Sequence, residues 1–235
     1  RTLRARRFYA RLEFMKHYQD LEKLFETLPL LEKTLRWSRF DNIREQNTLQ
    51  HSYVLSVLAS IVTRLLKPYH PNLDHDLVKE AALIHDVGEL GQDYDVLYPN
   101  QSPSSEIEEC GKFKELFGGF EKEIFEGLKK AFLLQFAWKN EWGGFEKEEQ
   151  ETLRCLAREK QIEALLFHAI EHLDYVLFAR EQFKNRDNAQ ICQAVIKTHL
   201  KTLSDCSLKI PGFGEKIWTP EIQSWCEEFL DKNKS

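Results

Sequence analysis

His85 and Asp86 stand side by side at the end of the apolar run AALIHDVGEL, residues 81–90, where neither would be chosen for packing alone. Burying an imidazole costs little, but burying a carboxylate costs several kcal/mol unless it is paired or bound to a metal. Asp86 therefore needs compensation, and two other segments offer groups of the same kind. QHSYVLSVLASIV carries His51 at the head of a strongly apolar stretch, and EHLDYVLFA carries Asp174 in the middle of another. Taken singly, His51 is most simply a satisfied core histidine and Asp174 half of a buried salt bridge. Three apolar segments that each deliver a metal-capable group argue instead for one shared ion. Two imidazoles and two carboxylates form a donor set of borderline hardness, suited to Mn, Fe, Co, Ni or Zn and less to calcium. The expected cofactor is one divalent transition metal held by His51, His85, Asp86 and Asp174.

Helices must position these groups. A helix is expected over residues 49–67, capped by Thr48 and stopped by Pro68, with an inward stripe of Val54, Leu58, Ile61 and Leu65 that also turns His51 inward. The next is capped by Asp74 or Asp76 and buries Leu77, Ala81 and His85, spaced by four on one face. Asp86 lies about 100° further round, and the helix is expected to end near Gly88. Glu89, four residues beyond His85, returns towards the same side, within reach of a water on the metal though not itself an evident ligand. Residues 163–183 form the helix that turns Asp174 inward beside Ile170, Leu177 and Phe178. On it, His172 points about 160° and His168 about 120° away from Asp174, which assigns both to packing or the surface. No other histidine falls between the His-Asp pair and Asp174, so one metal is the expected count.

The rest of the chain supplies a frame. Residues 8–28 read as a first helix ended or restarted by Pro29, and residues 91–118, rich in Gly, Pro, Ser and Asp, as a long loop with one short helix. Residues 119–140 are amphipathic. Trp142, Gly143 and Gly144 form a turn before a charged helix near Phe145, and Trp138 and Trp142 read as packing residues rather than a lid. Residues 189–204 and a last helix from Pro220, with Thr219 as its cap, complete the chain. No strand pattern is visible. The fold class expected is all-α, about seven to nine helices in a single domain over residues 1–235.

Composition limits the function. The chain of 235 residues is 30% charged and 42% hydrophobic with a net charge of −5, the profile of a soluble globular protein and a poor one for non-specific nucleic-acid binding. Five arginines among the first eleven residues form a local basic start. Five cysteines, at 110, 155, 192, 206 and 226, include no Cys-x-x-Cys pair, which speaks against a disulfide framework and for a reducing cytoplasm. No uninterrupted apolar run approaches the roughly 20 residues that span a bilayer. The chain opens on Arg rather than Met, so its natural start is expected upstream.

A His, then His-Asp, then a distant Asp resembles the signature of the HD-domain metal-dependent phosphohydrolases. HDVGE resembles that family's His-Asp-x-x-Glu. The lead-in LRWSRFDNIREQNTLQHS, residues 35–52, with its Arg-Trp pair, is similar to the YfbR-like bacterial 5′-deoxynucleotidase branch, and the likeness runs over roughly residues 20–210. It implies release of phosphate from nucleoside 5′-monophosphates, with Arg36 and Trp37 lining the nucleotide pocket and favouring deoxyribose. Arg36 fits a phosphate clamp because a guanidinium fork matches phosphate oxygens bidentately. Glu89 is the expected general acid or base. In such enzymes an acidic residue after the His-Asp-x-x-Glu segment borders the site; here the text is Gly-Gln-Asp-Tyr-Asp at a shifted spacing, leaving Asp93 or Asp95. Gln50 stands where relatives commonly have Glu, so any charge effect there is lost. The likeness and the many aromatics also imply a homodimer through aromatic-rich faces. Two readings compete with the nucleotidase: a phosphohydrolase of this family acting on a nucleoside triphosphate, cyclic nucleotide or phosphorylated metabolite, and a metal- or nucleotide-binding regulatory module without turnover.

Overall fold

The computed structural model describes residues 18–37, 43–91, 103–139, 141–184 and 188–232, and the fold is all-α as expected. Helix α1, residues 18–27, runs into a 3-10 helix, Leu28–Lys33, with Pro29 in its first turn. Residues 8–17 of the expected first helix lie outside the described residues. A strand follows where none was expected: β1, Leu35–Arg36, pairs antiparallel with β2, Gln46–Asn47, in the register Leu35↔Asn47 and Arg36↔Gln46. Two residues per strand leave too little alternation to read in a sequence. The helices α2 (Thr48–Leu66), α3 (His75–Ile84), α4 (Pro103–Phe117), α5 (Lys122–Ala137), α6 (Lys147–Glu159), α7 (Gln161–Lys184), α8 (Ala189–Lys209), α9 (Phe213–Lys216) and α10 (Pro220–Lys232) complete the order.

Helix α7 is the axis of the fold, touching α2, α3, α5, α6 and α8. Residues on every side of it are buried, among them Leu166, Phe167, Ile170 and Val176. That is why its apolar residues form no single stripe. Burial on all sides also brings His168 and His172 inside, so of the two places expected for them, packing or the surface, both take packing.

Helix α2 lies against α7 and α3, with a different face inward from the one expected. Leu55, Ala59, Val62 and Leu66 are buried, whereas Val54, Ile61 and Leu65 are exposed. The helix is apolar on two sides, and the hydrophobic pattern alone does not choose between them. His51, four residues before Leu55, still points inward. Full burial of each large aliphatic side chain contributes about 1.5–3 kcal/mol, so the inner face anchors the helix that carries His51. Its cap is Asn47, not Thr48: the Asn47 side chain accepts from the Gln50 backbone N–H at 2.8 Å, and Gln50 Oε1 accepts in return from the Asn47 N–H at 3.4 Å. The neutral Gln50 thus closes a capping box.

Helix α3 is capped by Asp74 and ends at Ile84, and His85–Glu89 form a separate 3-10 turn rather than a continuation of the helix. Helix α4 packs directly on that turn, with 15 residues where the sequence reading had mostly loop. Its serines, glutamates and lysines carry little apolar signal, and only spaced residues such as Cys110, Phe113 and Phe117 are buried. The contact is close. A Cβ on Gly88 would lie 2.4 Å from Glu109 Cβ and 2.7 Å from Glu109 Cα, so only glycine lets the helix backbone approach the turn. Gly88→Ala should therefore destabilise the fold by about 1–3 kcal/mol, lowering the Tm by several degrees in a thermal melt. An unchanged Tm would mean that α4 does not clamp the turn.

Candidate metal centre

Three elements meet at the inner end of α2. The capping box fixes the first turn of α2, and with it His51. The 3-10 turn presents His85 and Asp86 as neighbours on a tighter spiral than an α-helix allows. Gln135 of α5 holds the turn by donating its side-chain N–H to the His85 carbonyl at 3.0 Å. Strand β1 adds Arg36, whose Nη1 lies 3.4 Å from Asp86 Oδ2 and whose guanidinium carbon is 5.2 Å from the centre of the Tyr175 ring.

Both histidines are oriented through Nδ1. The His85 Nδ1–H donates to the Ala82 carbonyl at 3.2 Å, and because a carbonyl can only accept, this fixes the proton on Nδ1. The His51 Nδ1–H donates to Asp174 Oδ2 at 3.0 Å. Each Nε2 is thereby aimed at Asp86: His85 Nε2 is 3.0 Å from Asp86 Oδ1, and His51 Nε2 is 3.7 Å from Asp86 Oδ2. One donor atom from each of His51, His85 and Asp86 lies within 4.8 Å of the others. Lone pairs directed at a carboxylate repel it unless a proton or a cation lies between. His85 Nε2 is buried without a hydrogen-bond partner. Two atoms each about 2.1 Å from one ion can be no more than about 4.2 Å apart, a limit that both Nε2 contacts to Asp86 meet. The residues present therefore fit a divalent metal, and the anchored Nδ1 atoms supply the outer support such ligands require.

The charges agree. Burial lowers the pKa of His51, and the nearby Arg36 lowers it further, so the ring stays neutral despite its two carboxylate neighbours. Burial would raise the pKa of Asp86, but His85, His51 and Arg36 hold it well below the usual carboxylate range. For His85, burial favours the neutral ring, yet Asp86 and Glu171 outweigh it and raise the pKa above the ordinary value. A site that binds a proton on His85 this readily is a site that attracts a cation.

Of the four expected ligands, His51, His85 and Asp86 meet directly, and Asp174 joins them through His51 Nδ1. Arg36 borders the cluster and is almost fully buried. Trp37 is the one described non-glycine residue with a positive φ, 68°, an uncommon conformation for a bulky side chain. It stacks on Phe178 with ring centres 5.0 Å apart and meets Tyr175 edge-on at 5.9 Å. The indole is thus packed into a small cluster on α7. Glu89 is buried, and its Oε2 accepts from the Thr48 hydroxyl at 3.0 Å, tying the end of the turn to the start of α2. Asp93 and Asp95 lie outside the described residues.

A crevice runs outward from Asp86, lined also by Glu171, His168, His172, Lys139 and Tyr175. The sequence reading missed Glu171. Burial, with a further contribution from Asp86, raises its pKa to about 7, and its Oε1 lies 3.9 Å from His85 Nε2. Its place three residues before Asp174, one turn back on the same helix, was the available signal. His172 shares a hydrogen bond with His199, Nδ1 to Nδ1 at 2.8 Å, and Trp138 stacks on His168 with ring centres 3.8 Å apart. Burial pushes His168 down to about 3, His172 to about 2 and His199 to about 4, so His168 and His172 wall the crevice as neutral groups with neutral His199 behind His172. A separate groove between α8 and α10, lined by Gln190, Lys197 and Glu227, contains none of this chemistry.

Because a metal and a proton compete for His85 Nε2, affinity for a divalent ion should fall as the pH drops. The raised pKa of His85 starts that loss above pH 6.5, the ordinary midpoint. Titration calorimetry should show binding weakened by about tenfold or more between pH 7.5 and 5.5. Equal affinity at both values would exclude His85 as a ligand.

Residues 29–203 match the family described as HD domain. No curated protein and no solved structure matches the chain. The matched span begins just before Arg36 and continues past Asp174, enclosing the whole cluster, and an all-α fold with a His, His-Asp and Asp constellation at its centre is that of the family. The chain belongs to the HD-domain family of metal-dependent phosphohydrolases.

Proposed function

We propose that the protein releases phosphate from nucleoside 5′-monophosphates, with deoxynucleotides preferred. The observation that carries this reading is the place of Arg36: a guanidinium almost fully buried, 3.4 Å from Asp86, at the edge of the donor cluster. A buried fork beside a metal cage matches a terminal phosphate, which offers two oxygens to the guanidinium and a third to the ion. A divalent ion, Mn, Co, Fe, Ni or Zn, would supply a Lewis acid for the phosphoryl group and an activated water. Everything else is positioning and charge. His51, His85 and Asp86 hold the ion, with Asp174 proposed as the fourth ligand; through its contact with His51 Nδ1 it also orients that ring. Trp37, next to Arg36 in the chain, is held by its stack on Phe178 and is proposed to border the nucleotide. Glu89 is the proposed proton carrier for the attacking water or the leaving 5′ oxygen. A negative net charge supports a small nucleotide rather than a nucleic-acid polymer as substrate, and five free cysteines support a cytoplasmic setting.

Phosphate release from a panel of nucleotides, with each divalent metal added to stripped protein, tests the reading. Turnover of deoxynucleoside 5′-monophosphates is expected. Release from triphosphates, cyclic nucleotides or other phosphorylated metabolites alone would replace the substrate class, and no release with any metal would leave a binding module. Three variants separate the roles. Arg36→Ala should raise KM markedly and lower kcat as well. Asp174→Ala should lose metal, with activity partly restored by excess ion. Glu89→Ala should retain metal and lose turnover by about 10² to 10⁴; a wild-type rate would transfer the proton role to Glu171, Asp93 or Asp95.

A further inference from the structure

Arg36 stands on a strand of two residues, and a strand pair that short does not hold its own place. Its support comes from α7. Trp37 has a positive φ of 68°, a conformation that persists for a bulky residue only where the surroundings fix it. The turn it makes lets two consecutive side chains reach one helix. The Arg36 guanidinium carbon lies 5.2 Å from the centre of the Tyr175 ring, and the Trp37 indole stacks on Phe178, one turn further along. The chain comes back to α7 at Ile43, which is buried in the same cluster. At Arg44, two residues before the Gln46 that pairs with Arg36, the backbone N–H donates to Gln182 Oε1 at 3.0 Å. Tyr175, Phe178 and Gln182, spaced by three and four, share one face of the helix. We propose that Gln182 is a positioning residue for Arg36: by holding the Arg44 backbone on α7 it fixes the returning arm of the hairpin, and with it the place of the guanidinium beside Asp86.

The cost of keeping an amide there supports this role. Gln182 is fully buried, and its Nε2 has no hydrogen-bond partner. A buried amide left half-satisfied is less favourable than an apolar side chain of similar length. What the amide supplies and a methionine cannot is a fixed acceptor for one N–H, 138 residues away in the chain. The neighbouring ion pair does not replace it. The Arg44 guanidinium meets Glu181 through two contacts of 3.2 Å, but the two side chains are 58% and 50% exposed. A pair so exposed is weakened by water and salt and contributes little. The anchor is therefore the backbone tie to a buried acceptor. Asp174, whose carboxylate accepts from His51, directly precedes Tyr175 on the same helix. One rigid element thus carries a group of the metal centre and the face that locates Arg36, and so sets the spacing between them.

The consequence for phosphate rests on the reading of Arg36 as a clamp; the consequence for the position of Arg36 does not. Inorganic phosphate titrated calorimetrically into the full chain at saturating Mn tests the first. Gln182→Met should weaken phosphate about tenfold with the far-UV circular dichroism unchanged, and Arg36→Ala by at least as much. The double variant should lose no more than Arg36→Ala alone, because Gln182 acts through Arg36. Glu181→Ala, which breaks the exposed ion pair only, should stay within about twofold of the wild type. A crystal structure of Gln182→Met tests the second, and should show the guanidinium withdrawn from its 3.4 Å contact with Asp86. Should Gln182→Met not fold, Gln182→Asn, which keeps the amide and draws its oxygen back by one methylene, takes its place in both measurements. A further loss in the double variant, a loss in Glu181→Ala equal to that in Gln182→Met, or a guanidinium still in place would each overturn the proposal. So would unchanged phosphate affinity in Gln182→Met where Arg36→Ala loses it. Unchanged affinity in Arg36→Ala would instead remove the clamp reading, and the crystal structure would then decide the role of Gln182.

Discussion

The interior of this protein is arranged around one carboxylate that would be too costly to bury alone. Asp86 is nearly enclosed, and His85, His51 and Arg36, from three elements far apart in sequence, converge on it within 3.0–3.7 Å. A buried ion group left without compensation costs several kcal/mol, and its geometry must be good for the surroundings to offset that. Most local structure nearby serves this end. The capping box at Asn47 starts α2 in phase for His51, the 3-10 turn brings His85 and Asp86 to one side, and the short β1–β2 pairing carries Arg36 across the mouth of the cluster.

Arg36 and a divalent cation serve Asp86 in the same electrostatic sense, so the guanidinium is not merely an added phosphate hook. It lowers the proton affinity of His51 and helps keep Asp86 ionised. Both effects prepare donors for a metal. Arg36 also keeps a positive charge at the border of the site, where low local polarity makes each charge count for more than in water. One side chain therefore acts on the protonation of two candidate ligands at once, and its removal would disturb both.

The chemistry of the site was more legible than its surroundings. His51, His85, Asp86 and Asp174 stand out because a polar side chain in an apolar run is costly, and cost can be read from sequence. Glu171 carries the same anomaly but opens the stretch EHLDYVLFA beside His172, ahead of its apolar part, where a glutamate looks like surface. Their angles from Asp174 leave His168 and His172 to packing or the surface when one buried face is assumed; α7 is buried all round, so both pack inside. Helix α4 was expected only as one short helix in a loop because it packs on the turn at Gly88, a tertiary contact, and has no strong pattern of its own. The two-residue strands fall below any period that can be counted.

Helix α2 shows the same limit from the other direction. Its apolar residues are too many for one face, and the stripe of Val54, Leu58, Ile61 and Leu65 is as regular as the stripe of Leu55, Ala59, Val62 and Leu66 that enters the core. Periodicity gives the presence of an apolar face, while the polar residues attached to it decide where that face goes. His51, Ser52 and Thr63 are buried on the inner side. Ser52 and Thr63 bond back to carbonyls one turn earlier, at 3.0 and 2.7 Å, and His51 bonds to Asp174. The inner face is thus the one whose polar groups find partners within the fold, and the outer face is the one that needs none. The helix that delivers His51 to the metal site is therefore turned by the partners its polar groups find, and not by the number of apolar residues on either side.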